Sequence, residues 1–230
     1  MYHKLGPAPA GVRLGGLYVG RRLFAKQLSQ LRAQGFHSPP YGLTASTKGN
    51  ADKEILLTFD DGFENVLRHG LNPLARYDFR AIEFLIPDLI GKTNVWETTV
   101  GEAEERLMDV SQIREWLAAG HEIGSHTSTH PNLTQISLRE AREEIFSSKR
   151  KLEDQFGIPI RHFCYPYGGW NPAVRDLAAE AGYETACTTD FGLNLKSSPP
   201  WELKRILARR QSISLKEIKA RLNRWLTKWK

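Results

Sequence analysis

The chain has 230 residues, of which 40% are hydrophobic and 25% charged, and its formal net charge is +6. This length and composition suit one folded domain with a substantial core and exclude a disordered chain. The basic balance favours acidic partners, such as an anionic polysaccharide or an anionic membrane surface. No nucleic-acid partner is expected, because the basic residues are dispersed and no nucleic-acid motif occurs.

Cysteine usage and hydropathy bound the cellular context. The two cysteines, Cys164 and Cys187, are spaced like neither a zinc ribbon nor a disulfide framework, so two buried free thiols are expected. The sequence contains no apolar run of membrane-spanning length and no signal-peptide core at its start. As written the chain is expected in the cytoplasm, although a protein trimmed of its export signal would look the same.

Strands and helices alternate along the chain. A short strand is predicted at 15–19 and a helix from Phe24 that ends before Gly35, followed by a polar loop rich in proline and glycine at 37–53. Further helices are predicted at 64–77, 111–117, 137–156 and 172–181, and further strands at 55–59, 81–87, 122–126, 161–165, 184–188 and 205–208. About seven β segments separated mainly by helices predict a parallel sheet or barrel, between which periodicity does not decide.

One predicted strand ends in two adjacent carboxylates. The apolar run 55–59 (ILLTF) predicts a strand buried on both faces, and Asp60, Asp61 and Gly62 follow it directly. Such a strand first presents polar side chains to a cavity at its C-terminal end. Asp-Gly alone equally suits an ordinary turn in which the aspartate caps the next helix, so a metal site requires further ligands.

A histidine pair supplies those ligands. His126 and His130 follow the next apolar segment, and their spacing predicts one face of a helical turn that Pro131 keeps short. Two imidazoles and one carboxylate suit Zn²⁺ or a similar ion, and three protein ligands leave coordination positions open, as catalytic sites require.

Three segments occur in a fixed order: 58–62 (TFDDG), 126–130 (HTSTH) and 165–168 (YPYG). Together they resemble the first three signatures of the polysaccharide deacetylases, carbohydrate esterase family 4, over nearly the whole chain. An N-terminal Tyr2-His3 followed by a helix resembles the branch that contains the poly-N-acetylglucosamine deacetylases. The resemblance implies an α/β fold, a distorted (β/α) barrel of about seven parallel strands, formed by residues 1–230 as a single catalytic domain.

The resemblance also implies a chemistry. It implies that Asp61, His126 and His130 hold a divalent metal, with Zn²⁺ expected and Co²⁺ or Ni²⁺ as alternatives. Asp60 would then be the general base, and the backbone N–H of Tyr167 would complete the oxyanion hole.

The segment after the sixth predicted strand is expected to meet the substrate. Tyr165, Pro166 and Trp170 are predicted to contact a sugar, since aromatic rings can stack on one. The YPYG segment by itself equally suits two core aromatic residues and a proline-set turn, and only its order in the chain favours the functional interpretation.

The sequence departs from the family pattern at two points. Cys164 stands where many members carry an arginine that tethers the base, and Arg161 lies three residues too early to be assumed equivalent. No histidine follows His162, so the general acid must come from elsewhere. The branch resemblance makes His3 the candidate, against the alternative of a flexible terminal histidine without a role.

The sequence pattern also predicts the structure of two further segments. Residues 91–107, which contain Trp96, predict a long irregular insertion of the kind that shapes a substrate cleft. Residues 214–229 predict an amphipathic helix with a basic rim. Docking of this helix on the barrel is expected, and peripheral contact with an anionic membrane is the alternative.

The function predicted from the sequence is metal-dependent removal of N-acetyl groups from N-acetylated amino sugars in a glycan or glycan precursor. A metal-dependent amidase acting on a small non-sugar amide is one alternative, because the metal apparatus does not specify what carries the acyl group. An inactive carbohydrate-binding relative is the other, and the retained Asp60 and ligand set argue against it.

Overall fold

A curled, fully parallel sheet forms the centre of the molecule. The computed structural model describes residues 1–39, 53–195 and 197–208, and its six main strands pair in the order of the sequence. These strands are β3 (Leu57–Asp60), β4 (Ala81–Leu85), β5 (Glu122–Ser125), β6 (His162–Cys164), β7 (Thr185–Phe191) and β8 (Leu203–Arg205). Two shorter strands, β1 (Lys4–Leu5) and β2 (Tyr18–Val19), form a separate parallel pair.

Helices connect most of the successive strands, as the alternating pattern predicts. They are α1 (Arg21–Ala33), α2 (Glu64–Arg76), α3 (Val95–Thr98), α4 (Val110–Ala118), α5 (Leu138–Phe156) and α6 (Pro172–Glu180). α5 begins at a reciprocal capping box between Ser137 and Glu140 and ends at Gly157, which adopts the left-handed conformation. The predicted fold class, a parallel (β/α) barrel, is confirmed in the form of a six-stranded, partly open barrel.

Strands β3 and β4 are buried along their whole length, which explains why most of their residues are apolar. All four residues of β3 are buried, and an aromatic cluster of Phe59, Phe24 and Trp116 packs beside it. Gly124 on β5 has no room for a side chain, since a Cβ would lie 2.5 Å from the Phe84 ring. The core therefore reaches the level of the strand ends, where the polar residues begin.

The N-terminal segment lies in the gap between the first and last strands of the main sheet. Tyr2 donates its N–H to the carbonyl of Thr58 at 2.8 Å and accepts from the N–H of Asp60 at 3.1 Å. On the other side, Ala208 donates its N–H to the carbonyl of Met1 at 2.9 Å. Residues 1–2 thus complete the ring of backbone pairing, in the position expected for a seventh strand.

Three sequence predictions differ from this arrangement or fall outside it. The predicted strand at 15–19 is β2, which pairs with β1 and not with the barrel. The 91–107 insertion contains the short helix α3 within its irregular backbone. The predicted helix at 214–229 lies outside the described residues. Within the described ranges no helix combines the length and apolar character needed to cross a bilayer.

Candidate active site

The C-terminal ends of β3 and β5 bring one carboxylate and two imidazoles together. The Oδ1 atom of Asp61 lies 3.4 Å from the Nε2 atoms of both His126 and His130, and all three side chains are buried. One ligand atom from each residue lies within 4.8 Å of the others. The structure thus places the three predicted ligands around a single point.

The backbone that presents these side chains is not helical, so the predicted helical turn at 126–130 is wrong. His126 follows β5, and the chain then bends through positive φ angles at Thr127 (65°) and His130 (71°). The N–H of His130 donates to the hydroxyl of Thr127 at 3.0 Å, which closes this turn. Non-glycine residues rarely adopt such angles, and strain of this kind concentrates where a side chain must be aimed at a site.

The donor set fits a divalent metal. The Nδ1 atom of His126 lies 2.7 Å from the carbonyl of Cys164, which places the ring proton on Nδ1 and leaves Nε2 to ligate. Burial alone would lower the pKa of His126, but its acidic neighbours raise that pKa well above its usual value. Burial disfavours the Asp61 carboxylate, yet the adjacent His126 and His130 side chains hold its pKa well below the usual range. Burial lowers the pKa of His130 and so favours the neutral imidazole that can ligate a metal. One carboxylate and two imidazole nitrogens form a donor set that a divalent cation takes.

A second set of potential ligands overlaps the first. Asp60, His126 and Cys164 also lie close enough to share an ion. Both oxygens of Asp60, however, accept hydrogen bonds from Arg205, and the same guanidinium lies 3.1 Å from the Cys164 sulfur. A cation at this second point would face a buried guanidinium, so Asp61 with the two histidines is the better site.

Asp60 is held beside the cluster by an arginine that sequence reasoning missed. Arg205 donates to the two Asp60 oxygens at 2.6 and 2.8 Å, and both side chains are buried. Burial opposes ionisation of Asp60, but Arg205 outweighs it and lowers the pKa of this carboxyl. Arg161, in contrast, is exposed and pairs with Glu184 at 3.2 Å. The sequence signal for this contact was an arginine on the last predicted strand, in the segment RIL. Sequence spacing does not show that this strand comes close to Asp60 at the end of β3.

His3 belongs to the same site. Its Nε2 atom lies 3.8 Å from an Asp60 oxygen, and its side chain is only 17% exposed. Pairing of Tyr2 with β3 places His3 here, and its role in proton transfer stays a prediction. Burial lowers the pKa of His3, although the neighbouring Asp60 and Asp61 carboxylates act in the opposite direction.

The 165–170 segment borders the cluster, and its residues divide into two kinds. The Tyr167 ring is 58% exposed and lies 4.8 Å from the His130 ring, centroid to centroid. Tyr165 is fully buried, donates its hydroxyl to the carbonyl of Trp201 at 3.0 Å and packs between core aromatics. The predicted stacking of Tyr165 on a sugar is therefore wrong, because its ring faces are covered by protein.

Two other residues of the 165–170 segment, Pro166 and Trp170, are also partly or fully covered by protein. Pro166 is buried, and Trp170 is half-buried with its ring stacked near that of Tyr165. The turn itself requires a glycine at 168, where φ is +71° and a Cβ would lie 1.9 Å from the Thr189 hydroxyl. Tyr167 is thus the residue of this segment that offers an open aromatic face beside the cluster.

The 91–107 insertion forms the opposite wall. The Trp96 ring lies 4.6 Å from the His130 ring. The position of α3 is fixed by a buried ion pair between Lys4 and Glu97, to which Asn94 adds a hydrogen bond at 2.6 Å. The prediction that this insertion lies next to the candidate site agrees with the structure, and its anchor is the N-terminal segment.

A buried acid lies beneath the two aspartates. Glu83 on β4 is fully buried and accepts the N–H of Gly62 at 2.9 Å, while its second oxygen has no hydrogen-bond partner in the described part of the chain. Burial and the nearby Asp60 raise the pKa of Glu83 well above its usual value. Asp61 and Gly62 both have positive φ angles, 83° and 79°. Glu83 therefore stabilises the turn that aims Asp61 at the histidines.

Taken together, a curled parallel sheet and a carboxylate–histidine cluster at its C-terminal edge define a (β/α)-barrel protein with a candidate metal centre. A family model for polysaccharide deacetylase matches residues 47–186. The chain belongs to the polysaccharide deacetylase family.

Individual relatives agree with this assignment. The chain is 30% identical over 146 residues to a chitooligosaccharide deacetylase of Sinorhizobium fredii, a match covering 62% of this chain and 60% of that protein. Two solved structures are similar over almost their whole length. The Streptococcus pyogenes deacetylase PplD in complex with acetate aligns with a TM-score of 0.79 at 24% identity, covering 96% of this chain and 95% of that one. IcaB from Ammonifex degensii aligns with a TM-score of 0.78 at 26% identity, covering 95% and 93%.

Proposed function

We propose that this protein is a metal-dependent hydrolase that removes N-acetyl groups from N-acetylated amino sugars in a glycan or glycan precursor. The observation that carries the proposal is the buried cluster of Asp61, His126 and His130 beside the arginine-held Asp60. Family membership and the chitooligosaccharide deacetylase relative support an acetamido sugar as substrate.

Amide hydrolysis requires an attacking water, stabilisation of the oxyanion and a proton for the leaving amine. A divalent cation bound by the cluster, with Zn²⁺ expected, would polarise the acetyl carbonyl and lower the pKa of the attacking water. Asp60, held ionised by Arg205, accepts a proton from that water as its oxygen attacks the acetyl carbon.

The remaining steps fall to two other residues. The backbone N–H of Tyr167 is assigned to the oxyanion, because this residue borders the cluster at the His130 ring. His3, 3.8 Å from Asp60, is assigned to pass the proton that Asp60 takes from the water to the amine nitrogen as the C–N bond breaks. The products are acetate and a free amino sugar.

The direct test is acetate release from N-acetylglucosamine oligomers, measured beside release from a small acetamide without a sugar. We expect release from the oligomers by the metal-loaded protein, loss of about 10²-fold or more in Asp60→Asn, and a smaller loss in His3→Ala. Release from the small acetamide alone would support an amidase instead. Oligomer binding without release would indicate a carbohydrate-binding protein.

A further inference from the structure

A basic groove lies between α1 and α2, and it shares no residue with the candidate active site. It has a volume of about 480 Å³, is open to solvent and is lined by Arg21, Arg22, Arg68, His69, Asn72 and Arg76 among others. Of these named residues, all but His69 are exposed. None of the described residues that line it is acidic. Four guanidinium groups around one cavity repel one another, so this arrangement is more favourable when an anion is present.

The arginines lie on the surfaces of α1 and α2 that border the groove. Arg68, Asn72 and Arg76 recur every four residues and so share one face of α2. Arg21 and Arg22 occupy the first turn of α1, which has neither an acidic residue nor a side-chain cap. The positive end of the α1 dipole therefore adds to the charge of the arginines.

Most of these arginines are available for a ligand. Arg68 forms an ion pair with Glu64 on its own helix. Among the residues that the structure describes, no ion pair engages Arg21, Arg22 or Arg76, and the Arg76 guanidinium lies over the ring of Tyr77, 5.6 Å from its centroid. The groove thus holds three guanidinium groups whose charge no described carboxylate neutralises.

The groove also contains a histidine, His69, whose pKa is affected by the nearby arginines. Partial burial, together with the charges of Arg21 and Arg68, lowers the pKa of His69. Its imidazole is therefore neutral near pH 7 and can donate or accept a hydrogen bond, without adding to the repulsion among the arginines.

We propose that this groove binds a phosphate group. Planar guanidinium groups form bidentate hydrogen bonds to phosphate oxygens, and a phosphate carries enough charge and acceptor oxygens to engage several arginines together. A single carboxylate would leave most of the positive charge uncompensated. A volume of about 480 Å³ has room for a phosphate together with part of the molecule that carries it. That molecule is either a soluble phosphate compound or a phospholipid head group, which share this chemistry.

Calorimetric titration tests the proposal with inorganic phosphate, pyrophosphate and acetate as probes, at equal ionic strength. We expect the two phosphates to bind more tightly than acetate. The paired substitution Arg21→Gln with Arg76→Gln should weaken pyrophosphate binding by about tenfold, since two exposed guanidinium groups that donate charge-assisted hydrogen bonds are removed. The matched control, Arg139→Gln with Arg150→Gln on α5, removes the same charge from exposed positions outside the groove and should bind as wild type.

Co-sedimentation with lipid vesicles distinguishes a phospholipid head group from a soluble phosphate compound. Co-sedimentation with phosphatidylglycerol-containing vesicles, compared with pure phosphatidylcholine vesicles, is measured for the wild type and both paired variants. If the wild type and the control variant sediment with the anionic vesicles, the groove variant does not, and free phosphates do not bind, the ligand is a lipid head group. If free phosphates bind through the groove and the vesicles do not, the ligand is a soluble phosphate compound. Absence of both, equal affinity for acetate, or equal losses in the groove and control variants would overturn the proposal. Thermal melting of each variant establishes that it is folded.

Discussion

Asp60 can act as a base only if it remains ionised in a buried setting. Arg205 provides this by donating to both of its oxygens, at 2.6 and 2.8 Å, and so lowers the pKa of Asp60 against the effect of burial. The cost of burying the pair is offset by good hydrogen-bond geometry, which is the condition under which buried ion pairs are tolerated.

Substitution of Arg205 should therefore change the pH dependence of catalysis. In Arg205→Gln the pKa of Asp60 rises, so the acid limb of kcat/KM moves to higher pH, and the rate at neutral pH falls by about tenfold or more. Arg205→Lys keeps a charge and should shift the limb less. Arg161→Gln, at an exposed arginine paired with Glu184, is the control and should leave the profile unchanged. An unshifted acid limb in Arg205→Gln would contradict the assigned role.

Glu83 should make stability depend on pH. Burial raises its folded pKa well above the usual value of 4.5, so above that pH the folded protein retains a proton that the unfolded chain has lost. Stability therefore falls as pH rises from about 4.5 toward the folded pKa. Glu83→Gln keeps an acceptor for the Gly62 N–H and does not titrate, so its free energy of unfolding relative to wild type should increase with pH.

Urea unfolding at a series of pH values, with chelator present throughout, measures this difference. Glu104→Gln, at an exposed position, is the matched control and should run parallel to wild type. Parallel curves for Glu83→Gln and wild type would show that Glu83 ionises normally.

At the level of elements, the N-terminal segment connects the barrel to the 91–107 insertion. Its first two residues pair with β3 and with the segment after β8, and Lys4 on β1 then forms the buried ion pair with Glu97. Glu97 lies on α3, whose Trp96 contacts His130. One short segment thus positions His3 and one wall of the candidate site.

Removal of one partner of that ion pair should be costly. Lys4→Met leaves the Glu97 carboxylate buried without its cation and should destabilise the protein by about 3–5 kcal/mol. Adding Glu97→Gln removes the uncompensated charge and should recover part of this loss. Chemical denaturation of wild type, both single variants and the double variant measures the coupling. Additive losses in the double variant would show that the two side chains do not act as a pair.

An element could be predicted only where it produces a recognisable pattern of residues in the sequence. Strand β3 and helix α5 were predicted because burial on two faces and a capped apolar stripe produce distinct patterns. Pairing of residues 1–2 with β3 leaves no pattern, because two residues carry no periodicity. The burial of Tyr165 was missed because an aromatic next to a proline turn suits a core and a sugar site equally.

Site residues were predictable to the extent that they lie on recognised segments. Asp61, His126 and His130 lie within two such segments, and the structure brings them together, although in a strained turn where a helical one was predicted. The contact between Arg205 and Asp60 joins residues 145 positions apart, and only the closing of the sheet brings them together. Sequence spacing gives no information about such a contact.

At the scale of the whole molecule, one barrel carries two chemically distinct regions. The acidic and imidazole cluster lies at the C-terminal ends of the strands, while the arginine groove lies between α1 and α2. Sites at the strand ends are where (β/α) barrels perform chemistry, and helix surfaces are free to bind other groups. The net charge of +6 is consistent with the second role.

The central claim is that the Asp61–His126–His130 cluster holds the metal on which deacetylation depends. It is tested most directly by acetate release from N-acetylglucosamine oligomers while chelator-stripped protein is titrated with Zn²⁺ or Co²⁺. The account predicts no release before addition, a rise that ends at about one equivalent per chain, and background rates throughout in Asp61→Ala, because one set of three protein ligands defines one catalytic ion. Full release by the stripped protein, or restoration of Asp61→Ala by the same single equivalent, would contradict it.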